Sequence, residues 1–144
     1  MLGIRNTEMK IFIGKVSSST FGVAAKNLAR VMHLIEARMG LVNLVPGTLN
    51  IRIPEEYIVI ADATISPHEY GFAETIKLQR CLISGFKAII MRPDTHETRP
   101  NWGHGKNHLE LMSPFYLRSA LNLKDGDEVI VQVEGDEDWW KSGK

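Results

Sequence analysis

The sequence is organised around the stretch Pro46-Gly47-Thr48-Leu49-Asn50-Ile51-Arg52-Ile53-Pro54. Apolar and polar residues alternate from Thr48 to Ile53, which predicts a half-buried strand that ends at Pro54. The proline and glycine before it are typical of a tight turn. Because side chains alternate along a strand, Thr48 and Asn50 are expected to lie on one face.

The pair Thr48 and Asn50 has two interpretations. A hydroxyl and an amide side by side are neutral oxygen ligands, which suit a Mg²⁺ ion that keeps most of its waters and binds substrate phosphates. The same residue types are common in turns, where they bond to turn backbone. Spacing alone leaves both interpretations open.

Other strands and one long helix are predicted on both sides of this stretch. Residues 9–16 form an apolar run that predicts the first strand. From residue 24 to residue 39, apolar positions recur at helical spacing, and Gly40 would end this helix. Later strands are predicted at 57–61, 71–78, 83–91 and 129–133.

The connections between these elements differ in kind. Residues 92–107 hold two prolines and two glycines without periodicity, which predicts a long loop. Ser113-Pro114 predicts a short helix with serine as N-cap and proline at the first helical position. Residues 124–127 predict a turn. The charged tail 135–144 is expected to fray unless Trp139 and Trp140 pack back on the domain.

Composition limits the class of protein. The 144 residues suit one domain, with a core at about 10–134. Seventeen basic residues balance seventeen acidic ones, so no net charge favours nucleic acid or a membrane surface. The single cysteine and the lack of a long apolar run predict a cytoplasmic protein without disulfides. Many short strands, with one long and one short helix, favour a compact, mainly β barrel.

Several other side chains are candidates for chemistry. Residues 17–22 place hydroxyls before the long helix, where they either help bind an anion or only cap the helix. Glu110 has apolar neighbours and is either exposed on a strand or held for a purpose. Arg118 either faces solvent or reaches a phosphate. His96, His104 and His108 crowd the long loop, but their spacing matches no zinc site.

Five motifs follow one another between Lys10 and Glu134. They are Pro46-Gly47-Thr48-Leu49-Asn50-Ile51, Arg92-Pro93-Asp94-Thr95-His96, Leu109-Glu110-Leu111-Met112-Ser113-Pro114, Leu117-Arg118 and Leu123-Lys124-Asp125-Gly126-Asp127. In this order they resemble the archaeal CTP-dependent riboflavin kinases. The resemblance implies a six-stranded cradle-loop barrel and an enzyme that transfers a phosphoryl group from CTP to riboflavin, giving FMN and CDP.

The resemblance also implies roles for particular residues. Thr48 and Asn50 correspond to the pair that binds the cofactor Mg²⁺, which makes the metal interpretation the favoured one. Thr95 and Glu110 correspond to flavin contacts, and Glu110 is the candidate catalytic residue that orients the ribityl hydroxyl. Nucleotide contacts correspond to two segments: Ser19, Thr20, Phe21, Gly22, Val23 and Ala24, and Phe115, Tyr116, Leu117 and Arg118.

The sequence departs from the family pattern in two places. Residues 19–24 contain one glycine where the family has a glycine-rich loop, so Phe21 and Val23 would narrow the approach of a triphosphate. An insertion between Thr95 and Glu110 carries Trp102 and would form a lid or alter the ligand. The alternative function is therefore a flavin- or nucleotide-binding module on the same barrel without catalysis.

The expected partners follow from the same resemblance. They are riboflavin or FMN and CTP or CDP, without nucleic acid or membrane. A DNA-binding regulator on a related barrel is disfavoured by the zero net charge. We expect a monomer.

Overall fold

A computed structural model describes residues 9–17, 28–46, 48–71, 74–98 and 105–144. Within them the chain forms β1 (Lys10–Ser17), α1 (Leu28–Met39), β2 (Leu49–Arg52), β3 (Ala63–Ile65), α2 (Pro67–Tyr70), β4 (Ile76–Ile83), β5 (Phe86–Pro93), α3 (Thr95–Thr98), β6 (His108–Met112), α4 (Leu117–Ala120), β7 (Glu128–Val133) and α5 (Glu137–Lys141).

Six antiparallel strands close into a barrel. They pair in the order β4-β5-β6-β2-β1-β7, and β7 pairs back onto β4 through Leu82 with Gln132 and Ile83 with Val131. Strand β3 adds to the other end of β4. Closure leaves no long unpaired edge among these six strands. The predicted mainly β fold with a six-stranded barrel is confirmed.

Two apolar layers hold the fold together. Alternate residues of all six barrel strands point inward and form one buried cluster, which includes Phe12, Ile51, Ile83, Ile90, Leu111 and Val131. A second cluster lies on the outer face of β3 to β6, where it is covered by α1 and α5 and includes Val31, Ile35, Ile76, Met91, Met112 and Trp140. No helix of the described residues is long and apolar enough to cross a membrane.

Several predicted elements are confirmed. Strands β1, β2 and β7 begin and end within about one residue of their predicted bounds. Helix α1 ends at Met39, and Gly40 takes the left-handed conformation (φ 70°) that terminates a helix without strain. The predicted first turn of this helix, residues 24–27, lies outside the described residues. The turn at 124–127 is closed by a bond from the Asp127 N–H to the Lys124 carbonyl.

The predicted strand at 57–61 is wrong. Burial does alternate along this segment. Its backbone groups, however, make their hydrogen bonds with side chains and with one loop carbonyl, and not with a neighbouring strand. The Val59 N–H donates to the Glu97 carboxylate (2.8 Å), and the Tyr57 carbonyl accepts from Arg92 Nη1 (2.8 Å). The Tyr57 N–H donates to the Lys106 carbonyl (3.0 Å). A period of two is therefore compatible with an extended segment that joins no sheet.

The predicted strands at 71–78 and 83–91 have the wrong bounds. They form one hairpin, β4 and β5, whose two-residue turn is Ser84-Gly85 with φ values of 46° and 87°. Positive φ at both positions matches the right-handed twist of the strands. Helix α2 precedes the hairpin and ends at Tyr70, and its C-cap is Gly71, which was predicted to begin a strand.

Three further expectations are corrected. Ser113 is not the N-cap of α4: its hydroxyl accepts from the Phe115 N–H and donates to the Lys87 carbonyl, but α4 begins only at Leu117. The predicted loop at 92–107 begins as the end of β5 and then forms α3. The tail does not fray. Asp136 caps its helix α5, and Trp140 is buried, so the tail packs back on the domain as the second possibility predicted. Three short helices thus join the long and the short helix that were predicted.

Candidate active site

Asn50 and Glu110 lie side by side on neighbouring strands. In the β2–β6 register Asn50 is opposite Glu110, and Arg52 is opposite His108. Their sequence neighbours Leu49, Ile51, Leu109 and Leu111 belong to the barrel interior, so this pair lies on the outer face. Both are nevertheless buried, with 7% and 5% of their surfaces exposed. A buried amide and carboxylate cost free energy unless other groups engage them, so this face is the first candidate for ligand chemistry.

His108 extends this polar group. Its Nε2 lies 2.9 Å from Asn50 Oδ1, and the residue is buried. Its backbone carbonyl accepts from Arg92 Nη2 (3.0 Å). An amide oxygen has two lone pairs, so a bond from His108 leaves Asn50 Oδ1 able to accept another ligand. The sequence indicated His108 only as a weak zinc candidate. In the described part of the chain no three His, Cys, Asp or Glu side chains are grouped to hold a metal ion.

A cavity of about 180 Å³ opens beside the start of β2. Its wall contains Thr48 and all four residues of the second predicted nucleotide segment, residues 115–118. Whole small-molecule sites usually measure roughly 300–1,000 Å³, so this cavity suits part of a ligand. The remaining lining residues are Val45, Pro46, Leu49, Leu111, Ser113 and Ser119.

The two predicted metal ligands, Thr48 and Asn50, lie in neighbouring places: the cavity and the outer face of β2. Thr48 lies two residues before Asn50, lines the cavity and is partly exposed, whereas Asn50 is buried beside Glu110. The structure brings together Thr48 with residues 115–118, and Asn50 with Glu110.

Arg118 lies at the surface of this cavity. Its Nη2 donates to Asp125 Oδ1 (2.8 Å), and the two side chains are 46% and 53% exposed. An ion pair this exposed contributes little to stability. The guanidinium can therefore exchange this carboxylate for an anionic ligand at small cost.

Thr95 lies at the start of α3, directly after β5, the other neighbour of β6. Its N–H and its hydroxyl both donate to Glu74 Oε1, at 2.9 and 2.7 Å. In the β5–β6 register Met91 is opposite Glu110. Since α3 follows β5, it begins close to the strand that carries Glu110. Burial raises the pKa of the adjacent Asp94, and Lys77 opposes that rise. Sequence reasoning missed Glu74, which carries no local signal because its partner lies 21 residues away.

Some predicted site residues lie outside the described part of the chain. They are the nucleotide-loop residues Ser19, Thr20, Phe21, Gly22, Val23 and Ala24, the turn residue Gly47, and Trp102 and His104 of the inserted segment.

Comparison with known proteins gives one family. A family model described as "CTP-dep_RFKase: Domain of unknown function DUF120" matches residues 22–133. A riboflavin kinase of Methanocella arvoryzae is 37% identical over 93 residues, which cover 62% of this chain and 41% of the relative. A riboflavin kinase of Pyrobaculum aerophilum is 33% identical over 135 residues, covering 84% and 59%. A riboflavin kinase of Staphylothermus marinus is 30% identical over 130 residues, covering 88% and 93%.

The relatives differ in length. The chain spans 41% and 59% of the Methanocella and Pyrobaculum proteins but 93% of the Staphylothermus protein. The aligned sequence thus covers nearly the full length of one relative.

Proposed function

Because the chain belongs to the archaeal CTP-dependent riboflavin kinase family, we propose that it phosphorylates riboflavin with CTP as donor, giving FMN and CDP. The observation that carries this proposal is the buried pairing of Asn50 with Glu110 on the outer face of β2 and β6, beside a cavity that Thr48 and Arg118 line. Phosphoryl transfer depends on positioning and on charge stabilisation more than on covalent chemistry, which suits a site of this kind.

Thr48 and Asn50 are proposed to hold Mg²⁺. Their fit rests on chemistry: both offer neutral oxygens, and Asn50 Oδ1 keeps a lone pair beside its contact with His108. When bound, Mg²⁺ supplies positive charge that offsets the charge of the transferring phosphoryl group. Thr48 borders the cavity, so a phosphate there would lie within its reach.

Glu110 is proposed to orient the terminal ribityl hydroxyl of riboflavin and to accept its proton. In the transfer, that hydroxyl oxygen forms a bond to the γ-phosphorus of CTP, the bond from the γ-phosphorus to the bridging oxygen breaks, and CDP leaves. The proton of the hydroxyl passes to the Glu110 carboxylate. Because Glu110 is buried, little water can compete with the hydroxyl. Because Glu110 lies opposite Asn50, the proton acceptor and the metal ligand are on adjacent strands.

The nucleotide is proposed to occupy the cavity beside β2. Phe115, Tyr116 and Leu117 offer apolar surface, and Arg118 offers a guanidinium for a phosphate. Residues 19–24 would complete the phosphate contacts. On the flavin side, the Thr95 hydroxyl would either donate to a flavin oxygen instead of Glu74, or keep its bond to Glu74 and accept from a flavin N–H group.

We also propose that the chain acts as a single-domain monomer in the cytoplasm. Its binding partners would be riboflavin or FMN and CTP or CDP, and it would bind no nucleic acid. Size-exclusion chromatography with light scattering tests the monomer directly, since a dimer would double the 16.2 kDa mass.

A donor panel tests the activity. Purified protein is incubated with riboflavin, Mg²⁺ and each of CTP, ATP, GTP and UTP, and FMN is measured by chromatography. We expect FMN with CTP and none when Mg²⁺ is chelated. The alternative, a binding module without turnover, is favoured by the single glycine in residues 19–24. Tight flavin binding without FMN from any donor would establish that alternative and reject the kinase.

A further inference from the structure

Three charged side chains meet at one end of the barrel and form what we call the barrel-end ion cluster: Lys77 of β4, Arg92 of β5 and Glu97 of α3. Glu97 pairs with both cations, at 2.9 Å from its Oε2 to Arg92 Nη1 and through its Oε1 to Lys77 Nζ. The side chains of Arg92 and Glu97 are only 1% and 7% exposed. Burial lowers the pKa of the Arg92 guanidinium, and Glu97 opposes that change.

Glu97 neutralises two cations that are direct neighbours. Lys77 and Arg92 are opposite one another in the β4–β5 register. Like charges in this arrangement repel, and a buried cation without a counterion is strongly unfavourable. The Glu97 carboxylate, which comes from outside the hairpin, offsets the repulsion and serves as counterion to both cations. These two ion pairs hold α3 where Glu97 can reach both strands.

The cluster also fixes the extended segment 57–59. Glu97 Oε2 accepts from the Val59 N–H (2.8 Å), and Lys77 Nζ donates to the Val59 carbonyl (2.9 Å). Arg92 Nη1 donates to the Tyr57 carbonyl (2.8 Å). A segment that pairs with no strand therefore receives three of its backbone hydrogen bonds from this cluster.

The cluster reaches both halves of the proposed flavin site. Glu97 lies two residues after Thr95 in the same one-turn helix. Arg92 Nη2 donates to the backbone carbonyl of His108, whose ring contacts Asn50. Glu97 thus connects the helix that carries Thr95 with the start of the strand that carries Glu110.

We propose that Glu97 is a positioning residue for riboflavin: through Arg92 and Lys77 it sets the place of the α3 turn relative to β6, and so the affinity for the flavin. The proposal rests on the proposed function, because it takes Thr95 and Glu110 as the flavin contacts. A misplacement of about 1 Å can lower the rate of a catalysed step by up to about 100-fold, and we expect a smaller effect on affinity. We expect Glu97→Gln to weaken riboflavin binding about tenfold and to leave the KM for CTP unchanged.

A purely stabilising role makes a different prediction. Glu97→Gln would then lower the melting temperature but leave the riboflavin affinity of the folded protein unchanged. Glu69→Gln is the matched control, because Glu69 also pairs with an arginine, Arg38, but on α2, away from β6. Glutamine at 69 still accepts the capping bond of the Ser66 N–H, so the helix start is preserved. We expect this control to leave riboflavin affinity unchanged.

The experiment is a riboflavin titration followed by quenching of flavin fluorescence, which needs no turnover. It compares the unmodified protein, Glu97→Gln, Glu69→Gln and Lys77→Gln, each first melted to confirm folding. Lys77→Gln keeps the bonds of Glu97 to Arg92 and Val59, so we expect a smaller loss of affinity, about threefold.

The outcomes separate the two proposals. Weaker binding by Glu97→Gln, with Glu69→Gln unchanged, supports the positioning role. Binding by a folded Glu97→Gln within a factor of two of the unmodified protein overturns it and leaves the kinase proposal intact. Should Glu97→Gln fail to fold, unchanged binding by Lys77→Gln overturns it instead, and a threefold loss supports it. If the unmodified protein binds no riboflavin, both proposals fail.

Discussion

Strands β2 and β6 each have an apolar face and a largely polar face, and most residues of both faces are buried. The inward face carries Leu49, Ile51, Leu109 and Leu111 in the barrel core. The outward face of the same strands carries Asn50, His108 and Glu110, which are as well buried. The apolar face gains free energy from burial, whereas the polar face loses it unless every group is engaged. We therefore expect substitutions on the inward face to change the stability of the fold, and substitutions on the outward face to change ligand binding or transfer.

The largest expected effect comes from Asn50→Ala on the outward face. It should lower the rate of FMN formation about 100-fold or more, because a bound divalent cation contributes several kcal/mol to phosphoryl transfer. Riboflavin affinity should change little. The assay measures FMN at saturating CTP, alongside a riboflavin titration. Transfer at a near-normal rate would show that Asn50 is not a metal ligand.

A substitution on the inward face should instead lower stability and leave ligand binding unchanged. Leu109→Ala removes a fully buried side chain from the barrel core. It should lower the free energy of unfolding by about 2–5 kcal/mol, since it loses transfer free energy and leaves a cavity. Riboflavin affinity of the folded protein should not change. Urea denaturation followed by circular dichroism measures the first quantity. A loss below about 1 kcal/mol would contradict the assignment of Leu109 to the core.

A smaller effect is expected at the cavity beside the start of β2, from Arg118→Ala. A hydrogen bond to a charged group contributes about 1.5–3 kcal/mol, and a side chain as exposed as Arg118 should give the low end of that range, so the KM for CTP should rise about tenfold. The KM for riboflavin should stay the same. Asp125→Asn is the control, because it breaks the ion pair and leaves the guanidinium in place. A rise in the KM for CTP with Asp125→Asn but not with Arg118→Ala would reverse the assignment.

The smallest effect is expected from the Arg38–Glu69 pair, which lies on neither face of β2 or β6. The hydrogen bond from Arg38 lowers the pKa of Glu69 from its ordinary 4.5 to about 2. Because the folded-state pKa is the lower one, this pair stabilises the protein above pH 4.5 and loses that effect as the pH falls towards 2.

Thermal melts of Glu69→Gln against the unmodified protein check this sign. The midpoint of the variant should be slightly lower at pH 7, and the gap should close by about pH 2. A gap that is equal at both pH values would show that the carboxylate of Glu69 does not contribute through its charge.

The fold was more accessible from the sequence than the site was. Alternation in residues 48–53 and the helical spacing before Gly40 predicted the two elements and their apolar faces. However, Asn50 on the polar face of β2 is buried, and not exposed as a half-buried strand would have it. The same rule failed at 57–61, because an extended segment can receive its hydrogen bonds from Glu97 and Arg92 side chains that lie far away in sequence. The hairpin turn Ser84-Gly85 was present as a local signal and was overlooked.

Local patterns indicated the polar side chains of the site, but only the resemblance favoured particular roles for them. The family order of motifs named Asn50 and Glu110, and the strand register puts them opposite each other. Nothing local to Glu74 or His108 indicates that they contact Thr95 and Asn50, because these contacts depend on chain segments 21 and 58 residues apart. Partners of this kind follow from the closed barrel, not from periodicity.

The most direct test of the outward face is an amide NMR titration with riboflavin. We predict that the largest chemical-shift changes fall on β2, α3 and β6, and above all on residues 48–52, 95–98 and 108–112. The barrel offers a rival cavity of about 480 Å³ near Asp62, Arg80 and Trp139, between β4, β7 and α5. Shifts that cluster there, with β2 and β6 unchanged, would contradict the assignment of the flavin site.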